Sequence, residues 1–157
     1  MNKTMVIGYG NDLRSDDGIG QRIANEIACW HLSSVQSLAV HQLTPDLAAA
    51  LTNSDLVIFV DACLPVDGYD VQIQPLLPAC DIDSSVHTGN PRSLLALTQA
   101  LYDHCPPAWL VTIPGINFEI GDRLSRIAEM GKAVALVKII QLLDKVNNHW
   151  VDVRVSA

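Results

Sequence analysis

The stretch Asp55-Leu-Val-Ile-Phe-Val-Asp61 is the clearest strand signal in the chain, and it decides the fold class. Its apolar residues stand in an unbroken row between two acids, without the alternation of a strand that has one face in water. Such a run is typical of a strand buried on both faces, as in a parallel sheet covered by helices. Asp61 places a carboxylate at the strand's end, where burial disfavours a charge unless it is paired or coordinated.

The segments around this strand alternate between short apolar strands and amphipathic helices. Further strands are predicted at residues 4–7, 35–41, 69–74 and 109–113, the third of these at an edge of the sheet. Helices are predicted at residues 17–31, 45–51, 91–103 and 123–146, and the tail 150–155 alternates like a strand or forms a loose end. This order predicts an α/β fold, a three-layer α/β/α sandwich with a mostly parallel twisted sheet of about five strands.

The composition limits the class of protein. The chain has 157 residues, of which 49% are hydrophobic and 17% charged, so we expect one domain over residues 1–157. The formal net charge of -7 argues against binding to nucleic acid or to anionic membranes, which needs basic patches. No heptad pattern or sticky face is evident, and a monomer is the default expectation.

Targeting signals and cysteine spacing indicate the compartment. Neither a signal peptide nor an apolar run of membrane-spanning length fits the sequence, so we expect a cytoplasmic protein. Its four cysteines are scattered, without C-x-x-C or metal-knuckle spacing, which favours reduced, ordinary buried thiols.

A glycine-rich loop, GYGNDLRSDDGIG at residues 8–20, follows the first predicted strand. It is not a dinucleotide fingerprint, because Leu13 stands where the third glycine is needed, and it is not a P-loop, because it contains no lysine. Asp16 and Asp17 would also repel a phosphate. We expect Asp16 to cap the helix that follows. Asp17 is then a second carboxylate, suited to a cation or a peptide group.

The predicted topology brings distant polar residues to one edge of the sheet. Because the working crevice of such a sheet lies beyond the carboxyl ends of its strands, the acid pair, His41, Asp61 and His87 are expected to converge there. Two carboxylates with one imidazole suit a divalent transition ion, and three protein ligands leave its coordination open. A phospho-receiver domain with an acidic magnesium site is the alternative, although no lysine follows the last strand at Pro114.

The residues also carry a resemblance to a known family. The loop at 8–20, the strand ending in Asp61, His87 ahead of the Leu-rich segment 93–97, and the strand 111–114 before a final helix resemble the maturation endopeptidases of nickel–iron hydrogenases. The likeness covers nearly the whole chain. The segments 41–48 and 87–91 look most like the branch that serves bidirectional, NAD-linked hydrogenases.

This resemblance implies a function and a set of site residues. Enzymes of the family remove a C-terminal extension from the hydrogenase large-subunit precursor after nickel insertion, and recognise nickel carried by that substrate, with no cofactor of their own. The family's three metal contacts fall on Asp17, Asp61 and His87, of which the two aspartates are also the catalytic candidates.

The remaining expectations concern the substrate. The family often has glutamate where this chain has Asp17, and Asp-Gly-Gly-Thr where this chain has His41-Gln-Leu-Thr44. Gly10, Asn11 and His41 are expected to bind the substrate, with the glycines of the loop allowing a peptide strand to approach the backbone. A carboxylate-activated water and a metal-activated water are both open as routes to hydrolysis.

Overall fold

The structure is a computed structural model, which describes residues 2–80 and 89–155, with side chains described as far as residue 146. Its five-stranded sheet has the order β2-β1-β3-β5-β4. The strands are β1 Thr4–Tyr9, β2 Val35–Val40, β3 Leu56–Cys63, β4 Gln72–Leu76 and β5 Ala108–Pro114. All neighbours pair in parallel except β4, which lies antiparallel to β5 at the outer edge. The predicted, mostly parallel sheet is confirmed.

Helices cover both faces of the sheet, as the unbroken apolar run of β3 predicts. The helices are α1 Ile19–Cys29, α2 Ala48–Thr52, α3 Pro91–Tyr102 and α4 Arg126–Val155. Ile58 and Val60 of β3 pack with α1 and α4, whereas Val57 and Phe59 pack on the other side with α2 and α3. All four side chains are 0% exposed, and each such burial contributes about 1.5–3 kcal/mol to stability.

The last helix is longer than the sequence pattern predicts. We expected a helix over 123–146 and a strand-like or loose tail at 150–155, but α4 continues to Val155. No glycine or proline occurs after Gly131, and extending an existing helix is easier than nucleating a new element. The tail therefore continues the helix despite its strand-like alternation. Within residues 2–80 and 89–155, no helix has the length and apolar character needed to cross a membrane.

The four cysteines are all free thiols, as their spacing predicts. Cys63 and Cys105 are half-buried, but Cys29 and Cys80 are exposed, which corrects the expectation that all four are buried. Cys29 is the last residue of α1 and lies on its solvent-facing side, outside the apolar stripe of that helix.

The strand order creates a crevice between β1 and β3. From β1 the chain first adds β2 on one side and then β3 on the other, and ligands of open α/β sheets bind where the order reverses in this way. Gly8 of β1 pairs with Val60 of β3, so the next residues, Tyr9 and Asp61, are neighbours at the carboxyl end. The fold therefore places Asp61 at the topological switch point.

Candidate active site at the carboxyl edge of the sheet

The glycine loop connects β1 to α1 through a single 3₁₀ turn, Ser15–Gly18. Its glycines are needed for packing within the chain. A Cβ on Gly8 would overlap the carbonyl oxygen of Gly20, and a Cβ on Gly20 would overlap that of Val60. The missing side chains allow the first turn of α1 to lie directly on the backbones of β1 and β3.

Gly10 is also needed for packing within the chain, because the space beside it is filled by the backbone of Asp17. The expectation that the glycines admit a peptide strand of a partner stays a prediction. Gly10 has φ 138°, a conformation that favours glycine. Its N–H donates to the carbonyls of Val40 and His41 at 3.3 and 3.2 Å, and its carbonyl accepts from the Gln21 side chain at 2.6 Å. Both of its polar groups already have partners inside the protein.

Asp17 is half-buried and fixed by the loop that precedes it. The backbone N–H of Asn11 donates to its Oδ2 at 2.8 Å. Asn11 in turn accepts from the N–H of Leu13 through its own side chain, at 3.0 Å, which closes a tight turn. The orientation of the Asp17 carboxylate is therefore set by local backbone geometry.

Asp61 lies in β3, opposite Thr112 of β5, and is a half-buried carboxylate. Burial raises its pKa from 3.8 to about 6, although a hydrogen bond from the Tyr9 hydroxyl acts in the opposite direction. The negative charge of Asp17 adds to the rise in the pKa of Asp61. The charge of Asp17 thus acts on Asp61 in addition to the larger effect of burial, so the two carboxylates are electrostatically coupled, and Asp61 exchanges its proton near neutral pH.

Tyr9 is a site residue that the sequence analysis missed. It is 7% exposed, and its ring packs edge-on against Phe59 with centroids 6.5 Å apart. Burial raises the pKa of its hydroxyl, and the charge of Asp61 and the hydrogen bond to it act in the same direction. Tyr9 therefore remains a hydrogen-bond donor to Asp61. The signal that could have identified Tyr9 was its position at the end of β1, which lies beside the end of β3.

The neighbouring thiol of Cys63 is kept protonated. Burial raises its pKa, a hydrogen bond from Thr112 opposes that effect, and the charge of Asp61 raises the pKa further. Because the thiolate is the nucleophile, this environment does not suit a nucleophilic cysteine.

Asp16 does not cap the helix that follows it, contrary to our expectation. It is 0% exposed and accepts hydrogen bonds from the segment before α4. Its Oδ2 accepts from the backbone N–H groups of Ile116 and Asn117 at 2.9 and 3.0 Å. Ser125 donates to Asp16 through its N–H at Oδ1 and its hydroxyl at Oδ2, both at 2.7 Å, while its hydroxyl caps α4 by accepting from Ala128 N–H.

These bonds determine the ionisation of Asp16. Burial raises its pKa, but the hydrogen bonds from Ser125, Ile116 and Asn117 outweigh that effect and hold the pKa below its ordinary value. The carboxylate is therefore a charged anchor that joins the glycine loop to the N-terminus of α4. A sequence separation of 109 residues explains why local patterns did not reveal it.

The predicted histidines have different outcomes. His41 follows β2 and is exposed, and its carbonyl accepts the N–H of Gly10, so it borders the site. His87 lies outside the described residues. Within residues 2–80 and 89–155, no three His, Cys, Asp or Glu side chains form a group that could hold a metal ion. The predicted set of Asp17, Asp61 and His87 stays a prediction.

Together these elements define an α/β/α protein with two coupled carboxylates at the switch point of its sheet. Solved structures share this architecture. The hydrogenase maturating endopeptidase HybD from E. coli superposes with a TM-score of 0.74 over 92% of this chain and 93% of that chain, at 19% identity. A hydrogenase 2 maturation peptidase from a Thaumarchaeota archaeon gives 0.69, covering 91% and 99%, at 18% identity.

A third structure agrees with these two. The [NiFe] hydrogenase maturation protease HycI from Thermococcus kodakarensis gives a TM-score of 0.65 over 87% of this chain and 89% of that chain, at 20% identity. No protein-family model and no curated protein sequence matches the chain. At these identities the superpositions establish the fold, which is that of the hydrogenase maturation endopeptidases.

Proposed function

We propose that this protein is an endopeptidase that removes the C-terminal extension of a nickel–iron hydrogenase large-subunit precursor after nickel insertion. The observation that carries the proposal is the coupled pair of Asp17 and Asp61 at the switch point of this fold. Three structures superposing over most of the chain are of proteins named as hydrogenase maturation endopeptidases, peptidases or proteases. An acidic pair with one raised pKa is also what water activation near neutral pH needs.

In the proposed reaction, the Asp61 carboxylate accepts a proton from water as the water attacks the scissile carbonyl. The protonated Asp61 then gives this proton to the leaving amine as the C–N bond of the tetrahedral intermediate breaks, which releases the extension and regenerates the carboxylate. A pKa of about 6 makes Asp61 a stronger base than an ordinary aspartate while leaving it ionised at pH 7. The Tyr9 hydroxyl holds the carboxylate in place. Asp17, oriented by the Asn11 N–H, keeps a second negative charge beside the reacting groups.

Nickel enters this proposal as part of the substrate. Asp17, Asp61 and His87 contact the bound ion and so report that insertion is complete, while the enzyme keeps no permanent cofactor. Carboxylate and imidazole donors suit a divalent transition ion. A metal-activated water is the second route to the same hydrolysis.

We further propose the branch, the substrate contacts and the setting of the enzyme. The segment 41–48 favours the precursor of a bidirectional, NAD-linked hydrogenase, and His41, Asn11 and Gly10 border the place where its tail binds. The enzyme acts as a monomer in the cytoplasm, without nucleic acid or membrane. No observation favours the phospho-receiver alternative, because β5 ends at Pro114 without the lysine that would pair a phosphoryl group.

The test is cleavage of a purified large-subunit precursor, loaded with nickel or free of it, followed by mass spectrometry of the released extension. The wild type should release the extension from the nickel-loaded precursor alone. Asp61→Asn and His87→Ala should lower the rate by at least about 100-fold. Asp67→Asn, an exposed carboxylate of the loop after β3, should cleave at the wild-type rate. Equal processing by all variants would contradict the proposed site.

A further inference from the structure

Three large apolar side chains stand exposed on the glycine loop and on the segment before α4 that is hydrogen-bonded to it. Leu13 is 67% exposed, Ile116 52% and Ile120 88%. We call them the docking ridge. Single exposed apolar residues are common, but a cluster beside a proposed active site is a candidate contact for a partner.

The backbone pairs the two segments that carry Leu13 and Ile120. Arg14 and Gly121 form a parallel bridge, and the N–H of Gly121 donates to the carbonyl of Leu13 at 2.9 Å. The preceding residues, Leu13 and Ile120, are therefore side by side on the two paired segments. Ile116 lies on the same segment as Ile120, and its N–H donates to the Asp16 carboxylate at 2.9 Å.

The ridge is held in place from beneath. Besides the bonds of Asp16, the Ser15 N–H donates to the carbonyl of Gly121 and the Ser15 hydroxyl to that of Glu119, both at 2.8 Å. The exposed apolar groups thus sit on backbone that is already fixed. Binding of a partner to these groups therefore costs little conformational entropy in this segment.

The surroundings of the ridge carry excess negative charge. Arg14, Arg22 and Arg123 are the basic side chains of its segments and of the start of α1. Six carboxylates outnumber them, contributed by the ridge segments and by the crevice, namely Asp12, Asp16, Asp17, Asp61, Glu119 and Asp122. A partner for this surface therefore combines apolar side chains with a net positive charge.

We propose that the docking ridge binds an apolar, net basic segment of the hydrogenase precursor next to the bond that is cleaved, an inference that rests on the proposed function. Leu13 and Asp17 lie in the same loop, which connects the ridge to the crevice along the chain. A segment covering the ridge leads its neighbouring residues over the two carboxylates.

The test compares Leu13→Ser/Ile120→Ser with a matched control, Val134→Ser/Val137→Ser. The control residues are 45% and 53% exposed, and they lie on α4 away from the ridge. With nickel-loaded precursor, the ridge variant should raise KM about tenfold or more with little change in kcat, and the control should stay within about twofold. Should the double variant not fold, Ile120→Ser alone replaces it. An unchanged KM in the ridge variant, or an equal rise in the control, would overturn the proposal.

A binding assay separates this proposal from the proposed function. The affinity of the precursor for the enzyme is measured in an Asp61→Asn background, with and without the ridge substitutions, at low and high salt. Weaker binding in the ridge variant, together with weaker binding at high salt, would support the docking ridge. This holds even if the wild type cleaves no precursor, a result that would refute only the proposed peptidase activity. Salt-independent binding would overturn the basic character of the partner, and equal affinities would overturn the ridge, whatever the cleavage result.

Discussion

Replacing Asp61 with asparagine should stabilise the protein, and increasingly so as the pH rises. Burial raises the pKa of this carboxyl from 3.8 to about 6, so the folded state binds its proton more tightly than the unfolded state does. The negative charge of Asp61 therefore destabilises the folded state. This destabilisation is absent at pH values below the pKa of the unfolded state and complete above the pKa of the folded state. Asparagine keeps the shape without the charge.

The size of the effect follows from the two pKa values. By linkage, the charge on Asp61 destabilises the wild type by about 1.6 kcal/mol at pH 5 and by about 3 kcal/mol at pH 8. The advantage of Asp61→Asn over the wild type should therefore grow by about 1.4 kcal/mol across this range. The constant part of the difference also contains the altered hydrogen bond with Tyr9, so the change with pH is the decisive quantity.

The assay is urea unfolding followed by circular dichroism at several pH values between 5 and 8, for wild type, Asp61→Asn and the exposed control Asp67→Asn. The control should differ from the wild type by less than about 0.5 kcal/mol throughout. An advantage of Asp61→Asn that stays flat over this range, or that shrinks with rising pH, would refute a raised pKa and with it the buried, coupled pair.

Other predictions concern activity and stability. Because the proposed reaction needs the Asp61 carboxylate, kcat/KM should fall as the pH drops below about 6. In a pH profile, Tyr9→Phe should move this inflection to higher pH, since it removes a hydrogen bond that favours the charged form of Asp61. Asp17→Asn should move the inflection to lower pH, because it removes a neighbouring negative charge. Unmoved profiles would contradict the coupling. Asp16→Ala should destabilise the fold by about 3 kcal/mol or more in urea unfolding, because buried donors lose a charged acceptor; a loss under about 1 kcal/mol would contradict its role as anchor. Gly20→Ala should destabilise by about 1–3 kcal/mol, since its Cβ would overlap the β3 backbone, and an unchanged midpoint would show that the helix can shift.

The sheet and its working edge could be predicted from the sequence because they depend on short-range patterns. The apolar run of β3 and the strand–helix alternation determine a parallel sheet, and that topology alone brings Asp61 to the loop that carries Asp17. These predictions needed no knowledge of individual side-chain contacts.

The contacts that tune the site could not be predicted in this way. The hydrogen bonds of Asp16 reach residues 100 to 109 positions away, and nothing in the local sequence distinguishes such a carboxylate from a helix cap. The packing of Gly8 against Gly20 is likewise a contact between elements. Tyr9 was overlooked because an aromatic residue in a buried strand is normally part of the core.

The anchor at Asp16 also has a consequence for the order of assembly. The loop that shapes one carboxylate of the site closes against Ser125, close to the start of the last helix. During synthesis, the ribosome must therefore deliver nearly the whole chain before this loop can reach its final form. A truncated or still-nascent chain has the strands that carry Tyr9 and Asp61 but lacks the contact that completes their surroundings, so the carboxylate pair matures late in folding.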